Sequence, residues 1–470
     1  MPEENRRDYR GDYRGEVTAF LTILFVLMAG FICAVADVAA AHEEKCYQRA
    51  KSDLAIYSVF GEYRKELQQE YHIFGMDTGY GGSEKNFSED TVIGRLRYYG
   101  AEAQEQEITD VQFLTDRNGA AFYEQALYYM ELKYGLAYVK QFMGLTGEWE
   151  EYVLQGEKQE KEKREILEEV NGAVDMEEIA ATEDEAIQKE AEHTVDVLED
   201  QKNSFLLERV LPENFSVSNK ALTLEEQPSH RNLNCGYGTF RQKDRSGVGN
   251  RLLFHEYLLE HFSNVRDETE KAGLQYEVEY LLAGKGSDRE NLESVVRKLM
   301  LIRYAANYLY LQTSTEKKAE AETMAATVCT LLLLPGMTEV VKQALLLIWS
   351  YQESIQDIKA LLSGGKVPLQ KDSVSWKVSL GSVFIPGSKT VKTEEYSEGL
   401  EYKDYLRILL FCADKEELSM RSLDMMEQVI RAEEGGNFKV DLCIAKMKLH
   451  STVWIRESIS YEYPTEFAYQ

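Results

Sequence analysis

Twenty consecutive positions from Val17 to Ala36 (VTAFLTILFVLMAGFICAVA) carry no charge. At about 1.5 Å per residue such a run spans about 30 Å, the thickness of a bilayer's hydrocarbon core. The pattern predicts a transmembrane helix, with residues 17–41 in contact with the lipid bilayer. A secretory signal has a shorter apolar core, about 7–15 residues, before a small-x-small cleavage site. Small residues in AVADVAAAH supply such a site near Ala41, but the length of the core favours a retained anchor. Further on, Leu54, Tyr57, Phe60, Tyr63, Leu67, Tyr71 and Phe74 recur at steps of three or four among charged residues, the period of an amphipathic helix. The two patterns together predict one helix from about residue 17 to 74, ended by the glycines of Asp77-Thr-Gly-Tyr-Gly-Gly82.

The rest of the chain alternates between the two periods. A strand is predicted at Ile108–Leu114, then a helix from Ala121 to Met143 with Phe122, Tyr129, Leu132, Leu136 and Val139 in register. Tyr276-Glu-Val-Glu-Tyr280 alternates as a half-buried strand. A helix from Arg289 to Leu311 follows, with Ser287 or Asp288 as its N-cap. Helices at Lys317–Leu334 and Thr338–Leu362 are separated by Pro335-Gly336, and Val328–Leu334 reads as a buried helix end. Val374, Trp376, Val378 and Leu380 alternate as a strand, Tyr402–Ile430 reads as one long helix, and Phe438–Ile455 as a strand. The fold class is α+β and helix-dominated: a membrane helix continuing into a long amphipathic helix, then a mixed α/β head.

Charge divides this pattern into segments. The net charge is −28, and residues 148–202 hold twenty acidic against six basic residues, a net of −14. This excess argues against nucleic acid as a partner, since phosphates demand a basic face. The sparse apolar residues Val153, Ile166, Leu167, Val170 and Val174 make residues 148–204 an expected exposed helical insertion or arm. The division expected is a cytoplasmic tail (1–16), the membrane helix (17–41), a stalk helix with a first α+β part (42–147), the acidic arm (148–204) and a main α+β extracytoplasmic domain (205–470). Arg6, Arg7, Arg10 and Arg14 precede the membrane helix, against Lys45, Arg49 and Lys51 just after it. The positive-inside rule therefore puts the tail in the cytoplasm and the large C-terminal part outside, as a single-pass protein of the cell membrane.

Candidate chemistry is thin. His255 and His261 lie six apart, about 240° around a helix, whereas a zincin needs histidines at i and i+4. Cys235-Gly-Tyr-Gly238, Gly247-Val-Gly249 and Gly284-Lys-Gly-Ser287 lack the spacing of a nucleotide-binding loop and read as turns. Ser229-His230 has no acid placed by sequence, and GxSxG is absent. Of six cysteines, Cys33 lies in the membrane helix. The other five (Cys46, Cys235, Cys329, Cys412, Cys443) lack metal spacing and read mostly as buried thiols. The 29 tyrosines read chiefly as core. No catalytic residue, cofactor or metal site is expected, so the chain reads as a non-enzyme.

Arg14-Gly15-Glu16-Val17-Thr-Ala-Phe-Leu21 ahead of an apolar helix resembles the start of Tad (Flp-type) pilus-associated proteins. Leu54–Tyr63, Tyr71–Gly81, Leu252–Leu259, Gly284–Asn291, Ala360–Leu369 and Tyr402–Arg407 resemble an uncharacterised family of single-span proteins from Tad-type gene clusters of Gram-positive anaerobes. The resemblance implies a membrane-anchored accessory or minor-pilin-like component of a Tad/Flp-type pilus or related secretion apparatus, with other proteins of that machinery as partners. It also implies a processing site at Gly15-Glu16. Prepilins usually carry Glu at the fifth mature position, whereas a cut after Gly15 puts Glu16 first and Phe20 fifth, so an uncleaved anchor is expected. An exported hydrolase and a free-standing surface adhesin or sensor are the alternatives.

Overall fold

A computed structural model describes residues 12–80, 86–101, 104–142, 146–176, 179, 185–202, 207–212, 215–241, 245–267, 273–384, 398–434, 436–456 and 459–469. Helix accounts for 66% of the chain, joined by one small antiparallel sheet, which is the helix-dominated α+β class the periodicities predict.

The first element, α1 (Asp12–Phe60), contains the apolar run and continues past it without a break. It stops at Phe60, not at 74. Gly61 follows, then Tyr63 and Arg64 turn back to pair with Met76 and Gly75, where the Arg64 N–H donates to the Gly75 carbonyl at 2.9 Å. A separate short helix, α2 (Lys65–Tyr71), carries Leu67 and Tyr71 into the core. The apolar stripe also misleads about the inward face of α1: Leu54 and Tyr57 are exposed at 63% and 64%, while Ser52, Ala55, Ile56, Val59 and Phe60 are buried. That set is spaced i, i+3, i+4, i+7, i+8 and puts small residues where the helix meets a sheet.

Strand β1 (Met76–Asp77), helix α3 (Glu89–Leu96) and strand β2 (Gln104–Phe113) follow, then α4 (Asp116–Phe142). In α4, Phe122 is buried but Leu132 is exposed; the side chains of Leu136 and Val139 lie outside the described ones. The acidic stretch forms α5 (Thr146–Ala173) and α6 (Glu185–Lys202). It does not stand out from the body as an arm. Trp149 and Tyr152 enter the main helical core, and Leu167, Val170, Ala191 and Leu198 belong to a second one. Gly156 permits this: a Cβ there would lie 2.2 Å from the Leu301 carbonyl oxygen, so only glycine lets the two backbones approach.

Helices α7 (Val248–His261), α8 (Glu277–Ala283), α9 (Asp288–Thr313), α10 (Thr315–Leu331) and α11 (Thr338–Leu362) build most of the body. Of the two residues expected as the N-cap of α9, it is Ser287 that serves, accepting from the Glu290 N–H. The strand expected at Tyr276–Tyr280 is instead helix α8. Its alternating glutamates do not face water: Glu277 accepts from the Ser263 N–H and Glu279 from the Val265 N–H, both carboxylates being buried. The strand expected at Val374–Leu380 is a turn ending in a 3₁₀ segment. Asp372 accepts from the Val374 and Ser375 N–H groups, and the Lys377 and Val378 N–H groups donate to Glu353 rather than to a neighbouring strand. The helix expected over Tyr402–Ile430 is two, α12 (Tyr402–Cys412) and α13 (Lys415–Glu434), because the Asp414 carboxylate accepts from Glu416 and Glu417 N–H and starts a new helix.

The chain closes with β3 (Cys443–Arg456) and β4 (Ile459–Ala468), the second of which lies beyond the predicted strand. β3 is central. β2 lines one edge from Gln104↔Val453 to Phe113↔Ile444, and β4 and the short β1 share the other, every pairing antiparallel. Met447 and Leu449 of β3, Ile108 and Val111 of β2, Val92 and Leu96 of α3, and Ala55, Ile56, Val59 and Phe60 of α1 form a third core.

Candidate functional site

The feature hardest to reconcile with water is the first half of α1. Its thirteen large apolar residues from Val17 to Val38 are each 42% to 72% exposed. Its most apolar window has a mean hydropathy of 2.7, and none of it is buried by the rest of the molecule. At about 1.5–3 kcal/mol for each large side chain removed from water, covering this surface is worth on the order of 20 kcal/mol. The exposure runs all the way round the helix, as in a membrane span, rather than along one stripe, as in a helix docked on a protein. The hydroxyl of Thr22 is also satisfied within the helix, donating to the Thr18 carbonyl at 2.7 Å, as a lipid-facing polar group must be. Gly15 and Glu16, the expected processing pair, sit exposed in the first turns of α1 with nothing within 4 Å of a Cβ built on Gly15.

The second half of α1 is seated on the sheet by β4, which runs alongside it. Tyr461 lies under the Lys45 ammonium, whose Nζ is 3.6 Å from the ring centroid. The Tyr463 hydroxyl donates to the Gln48 carbonyl at 3.0 Å, the Thr465 hydroxyl donates to Asp53 at 3.3 Å, and Phe467 stacks on Phe60 with centroids 4.2 Å apart. The Ser52 and Ser451 hydroxyls meet at 3.1 Å inside the interface. The helical extension is therefore not a stalk that holds the head off the membrane; it is part of the head. From Asp37 to Lys45 the helix rises only about 12 Å.

The ionisable clusters of the head serve as internal braces. Arg303, Asp357, Lys371 and Glu353 are wholly buried: Arg303 pairs with Asp357 at 2.9 Å, and Lys371 lies 2.6 Å from Glu353 and 2.7 Å from Asp357. Arg303 also donates to the Pro368 and Leu369 carbonyls, which ties the segment after α11 to α9. Arg231 bridges Glu427 and Asp441, with Asn234 donating to Asp441, and so fixes the 227–240 segment to α13 and the start of β3. Gly236 then comes so near β2 that a Cβ would lie 2.1 Å from the Val111 carbonyl oxygen. Tyr237 exchanges both backbone hydrogen bonds with Val111, so Cys235–Gly238 is an edge bridge on β2 rather than a free turn. Gly247 precedes α7, and Gly284 ends α8 in the left-handed conformation.

Ser229 and His230 do acquire an acid in the folded chain, the buried Asp424 of α13. Its carboxylate accepts from the Ser229 hydroxyl at 2.6 Å and from the Tyr280 hydroxyl at 2.8 Å, while His230 Nδ1 lies 2.8 Å from the same serine oxygen. A hydrolytic triad needs the acid on the far nitrogen of the histidine, leaving the serine oxygen free to attack. Here the acid occupies the serine. His255 and His261 point to different sides, as their spacing predicts: His255 packs near Phe411, and His261 stacks on Tyr257 and lies edge-on to His72. Burial and the nearby Arg251 and Arg407 push His255 down to about 3, so it is neutral. Among the described residues no three His, Cys, Asp or Glu side chains are grouped to hold a metal. None of the cysteines is in a disulfide, and only Cys329 and Cys443 are the buried thiols expected; Cys46, Cys235 and Cys412 are exposed.

One buried acid stands apart. Glu279 is pushed up to about 7 by burial, against the hydrogen bonds it accepts from the Val265 N–H and the Tyr402 hydroxyl.

No curated protein and no solved structure matches the chain. Residues 184–455 match a family of unknown function, DUF5702. The match takes in Leu252–Leu259, Gly284–Asn291, Ala360–Leu369 and Tyr402–Arg407, while the apolar helix and the stretches at Leu54–Tyr63 and Tyr71–Gly81 lie outside it. Covering more than half of the chain, it assigns this protein to the DUF5702 family.

Proposed function

We propose that the protein is a membrane-anchored, non-enzymatic accessory or minor-pilin-like component of a Tad/Flp-type pilus or related secretion apparatus. The observation that carries the anchoring is the bare first half of α1, apolar on every side. The pilus role draws on the resemblance of Arg14–Leu21 to pilus-associated N-termini. It is supported by the way one unbroken helix joins the bare segment to the sheet, so that a force or displacement on the head is transmitted to the membrane. The arginines before the helix favour a cytoplasmic tail and an extracytoplasmic head.

Three experiments test this reading. Carbonate extraction of membranes should leave the protein in the pellet, and its release would remove the anchor. Crosslinking in cells, followed by purification, should recover pilus ATPase or platform proteins; their consistent absence would end the pilus assignment. Sequencing the N-terminus of the extracted protein separates an uncleaved anchor from a subunit beginning at Glu16.

A further inference from the structure

We infer that Trp454, on β3 where it pairs with the start of β4, rests in the headgroup layer of the bilayer that α1 spans, giving the head a second lipid contact. The inference rests on the anchor reading. It follows from the direction in which β4 runs. Tyr461 meets Lys45, Tyr463 meets Gln48, Thr465 meets Asp53, and Phe467 meets Phe60. Four strand residues, about 13 Å, thus track eight helix residues, about 12 Å, so the strand and helix axes are nearly aligned. Moving backwards along β4 therefore means moving towards the membrane.

Trp454 pairs with Ser460, one residue nearer the membrane than Tyr461. It stands one strand step below the level of Lys45, or roughly 9 Å from the level of Asp37 where the uncharged run ends. The headgroup layer of one leaflet is about 5–7 Å thick, and spanning helices tilt by about 20° on average, which lowers a sheet on the leaning side further. At 59% exposure Trp454 is, among the described side chains of β3, the one large apolar group turned to solvent; its outward neighbours on β3, Lys448, His450 and Thr452, are polar. Tryptophan is the residue enriched at that depth, because its ring is apolar and its N–H is polar. Trp454 stands near the level at which the uncharged run of α1 ends, so the occupant is the same bilayer.

The chain's tryptophans allow a direct test. Trp149, Trp349 and Trp376 are buried at 4%, 0% and 9% exposure, so Trp454 alone is open to a quencher. The full chain is reconstituted into phosphatidylcholine vesicles containing a lipid with a nitroxide at the headgroup or the shallow end of the acyl chain. The expected result is loss of the fraction of emission that Trp454→Phe removes, with no quenching in Trp454→Phe itself. If the protein floats with the vesicles and the two chains are equally unquenched, Trp454 does not touch lipid and the inference is overturned while the anchor stands. If the protein does not float with the vesicles, both fall. The exposed ring makes Trp454→Phe a fold-neutral change, checked by an unshifted melting temperature.

Discussion

The two halves of α1 invert the usual relation between hydrophobicity and burial. Residues 17–38 are apolar at nearly every position and are left exposed by the rest of the fold, whereas residues 48–60, with their charges and serines, bury six residues in the head. A helix in water would do the opposite. One unbroken helix thus has two kinds of surface: a half long and apolar enough to cross a membrane, which the rest of the fold leaves bare, and a half whose buried residues recur at helical spacing and pack on protein.

The sharpest way to break the contrast is to place charge in the bare half. Leu24→Arg with Phe25→Arg should cost about 5–7 kcal/mol of insertion, at about 2.5–3.5 kcal/mol for each arginine near a span's centre. Membrane fractionation should show the protein lost from the pellet, with the melting temperature of the head unchanged. The converse change, Phe60→Ala, should cost the head about 3–5 kcal/mol through lost packing against Phe467, read by thermal melting, and leave the membrane fraction intact. Asp357→Ala should cost a similar amount or slightly less, because it leaves Arg303 buried without its carboxylate.

Titration should separate the halves again, since pH acts on the head. Glu279, with its ordinary value of 4.5 raised to about 7 by burial, holds its proton in the folded chain where the unfolded chain has released it. Its effect is therefore to lower stability as pH rises from about 4.5 to 7, and Glu279→Gln should flatten that slope in melting curves. His255, lowered from 6.5 to about 3, acts with the opposite sign. It stays neutral when folded, so stability falls as pH drops below about 6.5, and His255→Gln should remove that loss. Vesicle flotation should be flat across the same range. The smallest expected effect is Ser52→Ala, about 1 kcal/mol, from leaving the Ser451 hydroxyl without its partner in the seat of α1.

The candidate site was legible in sequence only as far as its chemistry is local. The long apolar helix shows itself because twenty uncharged neighbours suffice to define it. The hydrophobic period of the second half of α1 points to the wrong face, since Leu54 and Tyr57 are large but exposed, whereas the small Ser52 and Ala55 are the residues the sheet covers. The acidic stretch misled for a related reason: its few apolar residues are enough once Gly156 allows a close helix crossing, and net charge says nothing about that fit.

Local sequence is enough for the long apolar helix, the helix-dominated class, an N-cap at Ser287 or Asp288 and the break at Pro335-Gly336, all of which depend on residues within a turn or two of one another. It took the tertiary structure to make Tyr276–Tyr280 helical, to keep Val374–Leu380 from being a strand, to end α1 at Phe60, and to set Trp454, paired with Ser460, near the level of Lys45. In each case the deciding partner lies far along the chain: Glu277 and Glu279 hold the 263–265 segment, Glu353 takes the donors of Lys377 and Val378, and Lys45 meets Tyr461. A backbone donor takes the best acceptor the folded chain offers, and no local pattern names that acceptor in advance.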